Sequence, residues 1–242
     1  MGSIISEFSN NVTGGCVALR IQQEVGPTSS SIFESIKATS HKRLPNSFLL
    51  RDNVVQISRE LLGKCLVTNI NGQYSAGLIT ETEAYAGVND KASHAFGGRR
   101  TNRTEIMYHE AGKIYVYLCY GIHHLFNVVT NVKDVPHAVL IRAIHPIDGI
   151  ATMLERRNKQ KPDSKLSAGP GTLTKALGIE TSHTGLKLND GPIWLEDRGI
   201  QVSKSEIQIG PRVGIDYAEE DALRPYRFIW IMTAAQKTSG KF

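Results

Sequence analysis

Apolar positions fall into short runs whose period changes along the chain. Val54, Val55, Ile57, Leu61 and Leu62 recur at near-helical spacing with Gly63 as a stop, which predicts a helix over 54–62. Beyond it, residues 64–68, 76–85, 113–120, 122–130 and 138–144 are β-branched and aromatic runs bounded by Gly, Asn, Asp or Pro, and read as strands. Asp148 is placed to cap a helix running through Arg157, with Ile150, Met153 and Leu154 on one face. A second short helix starts at Gly169-Pro170, carries Leu173, Ala176 and Leu177, and stops at Gly178. Residues 193–195 and 227–231 close the sheet. The pattern predicts an α+β fold: a single mixed domain, with a curved, largely antiparallel β-sheet flanked by helices and a β-hairpin protruding at Tyr120.

Residues 1–45 hold eleven Ser or Thr and no sustained period, which predicts a disordered extension ahead of one domain over 46–242. The apolar patch at 16–19 is too short for a secretory signal, and Glu7, Glu24 and Glu34 against Arg20 and Arg43 disfavour a mitochondrial leader. The most apolar run, 114–129, contains three tyrosines, two histidines and an asparagine, so no stretch resembles the roughly 18 apolar residues of a membrane span. Cys16, Cys65 and Cys119 form no CxxC pair, which points to a reducing compartment and away from a cysteine zinc site.

The chain carries 28 Lys plus Arg against 23 Asp plus Glu, a net charge of +5. The excess is grouped at Arg156, Arg157, Lys159, Lys161 and Lys165, and again at Lys91, Arg99, Arg100 and Arg103, two candidate footprints for a polyanion. Neither GxGxxG nor a Walker A loop occurs, which disfavours a dinucleotide or ATP enzyme.

The strand LITETEAY places Ile79, Glu81, Glu83 and Tyr85 on one face. Two glutamates inside a β-branched run are costly unless that face is wet or functional. The stretch KIYVYLCYGIHHLFNVVTN reads as two strands meeting at Tyr120-Gly121, and adds Tyr117 and Asn127; His94 and Arg142 lie on neighbouring segments. Rings that sandwich a flat heterocycle, a carboxylate that activates water and a wedge that enters a base stack are the parts needed to act on a flipped nucleotide.

Together, ETEAYxGxxDxAxHxxGGRxTxR (81–103), YVYxxYGxxxxxN (115–127), VLIRA (139–143), GPGTLTKALGI and the late RVGI resemble the mammalian-type alkyladenine or 3-methyladenine DNA glycosylases. The resemblance covers about residues 47–230 and implies base excision repair on double-stranded DNA containing damaged purines. It implies Glu83 as the carboxylate that positions and deprotonates the attacking water. It further implies Tyr85 and His94 stacking on the extruded base with Tyr117 on the opposite face, Tyr120 filling the gap in the duplex, Asn127 disfavouring guanine at the pocket floor, and Arg142 holding nucleotide and water. Ile122, His123 and His124 depart from the mammalian pattern. Arg99, Arg100, Arg103, Arg156 and Arg157 are the expected DNA-backbone contacts. No cofactor and no metal is called for, a monomer is expected, and the resemblance places the protein in the nucleus, with an organelle as the alternative.

Two other classes compete. A metallohydrolase built from His94, His123, His124 and the Glu81/Glu83 pair is disfavoured because adjacent strand histidines point to opposite faces and no HExxH is present. A nucleic-acid binder without catalysis gains nothing from an anion at Glu83 beside phosphates. Apart from Lys113 at the start of one of them, no lysine lies on the strands carrying the candidate site, which disfavours a Schiff-base lyase step.

Overall fold

A computed structural model describes residues 42–238 of the 242-residue chain. The disorder expected for 1–45 therefore lies outside the described residues, except at its last four positions, which are folded. Lys42–Arg43 (β1) pairs with Asp197 and Glu196, the Leu44 N–H donates to Leu195 O at 2.8 Å, and Leu44 joins the core. Two basic residues that read as a polar tail lie opposite two acidic ones on an edge strand.

Two short helices follow, α1 (Asn46–Leu49) and α2 (Val54–Glu60). Asn53 opens α2 by accepting from the Gln56 N–H, and Val54 and Ile57 are buried. The helix ends at Glu60 rather than Leu62. Gly63, at φ 78°, turns the chain so that its N–H reaches Ile79 O at 2.9 Å.

β2 (Cys65–Ile70) and β3 (Gln73–Tyr85) are joined by the two-residue turn Asn71-Gly72, both at positive φ, which starts β3 earlier than residue 76. The remaining strands are β4 (Ile114–Cys119), β5 (His123–Thr130), β6 (His137–Asp148), β7 (Ile193–Asp197), β8 (Ile207–Gly210) and β9 (Arg227–Trp230). Of these, β8 is a four-residue, partly exposed strand without the apolar run that marks the others in the sequence. Every strand pair is antiparallel, in the order β1-β7-β2-β3-β6-β5-β4, with β9 added on β3 and β8 on β9.

β3 is the organising strand. One of its edges is occupied by β6; along the other, residues 73–78 pair with β2, and Glu81–Glu83 pair with β9. The α+β reading therefore holds, with α2 against β3 and β6, and α4 (Pro170–Leu177) against β5 and β6. Ile57, Leu66, Leu78, Phe126, Ile141, Met153 and Leu173 are fully buried in one core.

The helix α3 (Ile150–Arg157) corrects one expectation. Its N-cap is Gly149 at φ 68° without a side-chain cap, and Asp148 instead ends β6 opposite Ala76 and pairs with Arg198 at 2.8 Å. A Cβ at residue 149 would lie 2.1 Å from Tyr74 O, so the chain passes the β3 hairpin too closely for any residue but glycine. α4 starts at Pro170 and stops at Gly178 (φ 73°), as the sequence predicts. A fifth helix, α5 (Ala234–Thr238), ends the described chain.

Candidate active site

Where β3 changes neighbour from β2 to β9, its pairing with β6 is irregular. Glu81 lies opposite Ala143 and Thr82 opposite Ile141, which leaves Arg142 as the extra residue of a bulge. The bulge lets the guanidinium meet both strand carboxylates: Nε donates to Glu81 Oε1 at 2.7 Å, and Nη1 lies 3.3 Å from Glu83 Oε1. Glu81 Oε1 also accepts from Arg227 Nε at 2.7 Å, across the β3–β9 pair. The shared face of Glu81 and Glu83 is thus real, and Glu81 bridges two arginines.

Glu83 has no exposed surface. Its Oε2 accepts from the Tyr85 phenol at 2.9 Å and its Oε1 from the Val213 backbone N–H at 2.8 Å. Burial pushes its carboxyl above the usual carboxylate range, opposed by Arg142 and by these two hydrogen bonds. Burial and the neighbouring Glu83 push the Tyr85 phenol well up, which keeps it a donor.

Beside this carboxylate lies a cavity of about 660 Å³, lined by Tyr85, His94, Tyr115, Tyr117, Asn127 and Arg142 and by the Gly169–Thr172 and Val213–Tyr217 segments, a volume within the range of ligand sites. His94 packs edge-on against Tyr117, with centroids 4.7 Å apart. Its Nδ1 bonds Tyr115 Oη at 2.8 Å and its Nε2 accepts from Arg103 at 3.2 Å. Burial, with Arg103 and Arg99 nearby, lowers the imidazole to about 4, so the ring is neutral and Nδ1 carries the proton. Asn127 is buried, and its Nδ2 donates to Tyr115 O and Leu125 O, leaving Oδ1 as the atom available to a ligand.

At the tip of the β4–β5 hairpin the turn residues Tyr120 and Gly121 both have positive φ, and Tyr120 is 89% exposed, flanked by exposed Ile122. The structure thus brings Tyr85, His94, Tyr117, Asn127 and Arg142 to the lining of one cavity with Tyr120 at its rim, and sets Glu83 behind that lining, in contact with Tyr85, Val213 and Arg142.

The basic residues divide differently from the two expected footprints. Arg156 reaches inward, donating to Ser75 Oγ, Ala176 O and Gln73, while Arg157 donates to Leu166 O and Lys165 O. Both sit in the last turn of α3 and fasten it to its neighbours. Lys159 pairs with Asp163, Lys91 with Glu219 and Glu220, and Arg100 with Glu105 and Asp134. Arg103 lies over the Tyr117 ring at 5.0 Å and lines the cavity, while the exposed Arg99 lies near His94.

The sequence pattern gives no sign of the Val213 N–H on Glu83 or of the Asp90–Arg212 pairing; the sequence motifs contain Asp90 and the RVGI segment without assigning either a role. Among the described residues no group of three or more His, Cys, Asp or Glu could hold a metal, and no helix is long and apolar enough to cross a membrane. His123 packs on Gly171, and His124 Nδ1 accepts from the Thr181 N–H.

The family model for methylpurine-DNA glycosylase matches residues 47–233. Similar proteins, each named "Putative 3-methyladenine DNA glycosylase", include one from Chlamydia felis, 45% identical over 195 residues that make up 80% of this chain and 99% of the relative. Others come from Clostridium perfringens (45% identical, 74% and 90% of the two chains) and Bacillus cereus (44% identical, 77% and 94%). These relatives are bacterial, which removes the ground for the nuclear placement expected from the mammalian resemblance. The chain belongs to the methylpurine-DNA glycosylase family and is a hydrolytic N-glycosylase of DNA.

Proposed function

We propose that the protein extrudes an alkylated or deaminated purine (the class of 3-methyladenine, 7-methylguanine, hypoxanthine and ethenoadenine) from duplex DNA into the aromatic cavity and hydrolyses its N-glycosidic bond. The observation that carries this reading is a fully buried carboxylate, Glu83, held by Tyr85, Val213 and Arg142, all three of which line a ring-rich cavity.

In this reading the C1′–N bond breaks with oxocarbenium character at the sugar, and the ionised Glu83 stabilises that charge. Glu83 takes the proton of a water whose oxygen bonds to C1′, giving an abasic site and the free base. Arg142, held by Glu81, orients the nucleotide and water. Tyr85, His94 and Tyr117 stack on the base, Asn127 disfavours unmodified guanine at its 2-amino group, and Tyr120 fills the gap in the duplex. Cationic alkylated bases leave as neutral molecules, whereas neutral purines must gain a proton. Among the described residues no lysine lines the cavity, which supports a single hydrolytic step without strand cleavage. One copy of the chain carries every group used, which supports action as a monomer. Bacterial relatives support action in a compartment other than a nucleus.

The test is single-turnover incubation of wild type and Glu83→Gln with duplexes bearing hypoxanthine, ethenoadenine or 3-methyladenine, followed by alkali to reveal abasic sites. Glu83→Gln keeps lesion binding and loses excision. Excision within about tenfold of wild type would sink the assignment, since general-base catalysis contributes about 10²-fold or more.

A further inference from the structure

Arg212 and Asp90 form an ion pair in which both side chains are fully buried, and neither lines the cavity. The guanidinium fork meets the carboxylate twice, at 2.5 and 2.8 Å. It also donates to Ala84 O at 2.9 Å and Asp221 O at 3.1 Å. Its carbon lies 4.9 Å from the centre of the Tyr85 ring and 5.3 Å from that of Tyr226. Asp90 in turn accepts from the Ala86 and Ala92 N–H groups, fixing the loop that leads to His94. Two charges in the interior carry a desolvation penalty that an apolar pair would avoid, so the pair gives no stability argument for its presence. What it does give is geometry. It ties together the end of β3, the 86–92 loop and the residue preceding Val213, whose N–H sits on Glu83.

We infer that Arg212, through Asp90, is a positioning residue that holds the Val213 N–H on Glu83 and the Tyr85 ring in the cavity wall at the same time. The inference rests on the reading of Glu83 as the water-activating carboxylate. Arg142 and Glu81 face that carboxylate from β6 and β3, Tyr85 from β3, Tyr117 from β4 and Arg212 from the segment before Val213. Displacing the Val213 donor removes a hydrogen bond to the ionised form, so Glu83 ionises only at higher pH.

Arg212→Lys keeps the charge but not the planar fork or its place against Tyr85. The readout is the pH dependence of single-turnover 7-methylguanine excision, a lesion whose departure needs no added proton. The expected result at neutral pH is a rate lower by about tenfold or more, the scale of one hydrogen bond to a charged group. The acidic limb moves upward by roughly half a pH unit or more, and lesion-duplex binding is retained. An unchanged rate, or a lower rate with the limb unmoved, overturns the inference, because a merely structural role does not move the limb. Asp90→Asn keeps the shape and gives the same readout where Arg212→Lys does not fold; failure of both to fold makes the pair structural and counts against it. Wild-type excision by Glu83→Gln overturns the Glu83 reading itself, whereas an inactive Glu83→Gln beside an unmoved Arg212→Lys overturns only the positioning role.

Discussion

The phenol of Tyr85 donates to Oε2 of Glu83 across 2.9 Å, two residues along one strand. In an antiparallel strand alternate residues share a face, so one local repeat supplies the carboxylate, its hydrogen-bond donor and a ring of the cavity wall. Tyr85→Phe separates these roles. It keeps the ring, and lesion binding with it, and removes the donor. Single-turnover excision should fall about tenfold, the scale of a hydrogen bond to a charged group, with the acidic limb displaced upward; an unmoved limb would leave Tyr85 as a stacking ring only.

The pH profile should differ between lesion classes. Burial destabilises the ionised Glu83, so its titration lies above the ordinary 4.5 and activity falls as pH drops through it. Excision of cationic 7-methylguanine should rise to a plateau above that point. Hypoxanthine excision should rise and fall again, because the neutral base needs a proton in order to leave. His94, neutral down to about 4, contributes no limb at higher pH. Rate profiles measured on both lesions under single-turnover conditions check this.

Tyr120→Ser should reduce excision from fully paired duplexes by roughly tenfold or more, the equivalent of 1–3 kcal/mol of stacking. Lesions placed in an already unpaired bulge should lose much less. Equal losses on the two substrates would reduce Tyr120 to a hairpin tip.

Arg156→Ala should behave as a stability variant. Its hydrogen bonds to Ser75, Ala176 and Gln73 vanish, and unfolding should become easier by about 1–3 kcal/mol. The salt dependence of DNA binding should not change. Arg99→Ala with Lys161→Ala, both exposed, should instead lower the salt slope by up to about 0.9 for each phosphate no longer neutralised. Titrations of undamaged duplex at several salt concentrations separate the two outcomes.

Much of this is legible in the sequence because period two survives a change of neighbours. LITETEAY reads as a strand with Glu81 and Glu83 on one face whether it pairs with β2 or β9. The Asp90–Arg212 pair, the Val213 donor and the inward turn of Arg156 are not legible, for separate reasons. A backbone N–H has no residue-type signature, and an ion pair spanning 122 residues leaves no local pattern. A cluster of positive charge reads as solvated until the carbonyls that receive it are located. Asp148 misleads because a carboxylate before a helical pattern looks like a cap, whereas the close passage at Gly149 leaves the cap to glycine.

The Val213 donor on Glu83 bridges 130 residues, and the Arg227 side chain on Glu81 bridges 146. A chain still emerging from the ribosome therefore carries the carboxylates, the stacking rings and the hairpin wedge long before it can hold the water-activating group in place. Closing loops of this length is entropically costly and slow relative to forming local hairpins. Recovery of excision activity in a refolding experiment should consequently trail recovery of β-sheet signal, and a nascent chain has no competence to remove bases until its C-terminal strands have docked.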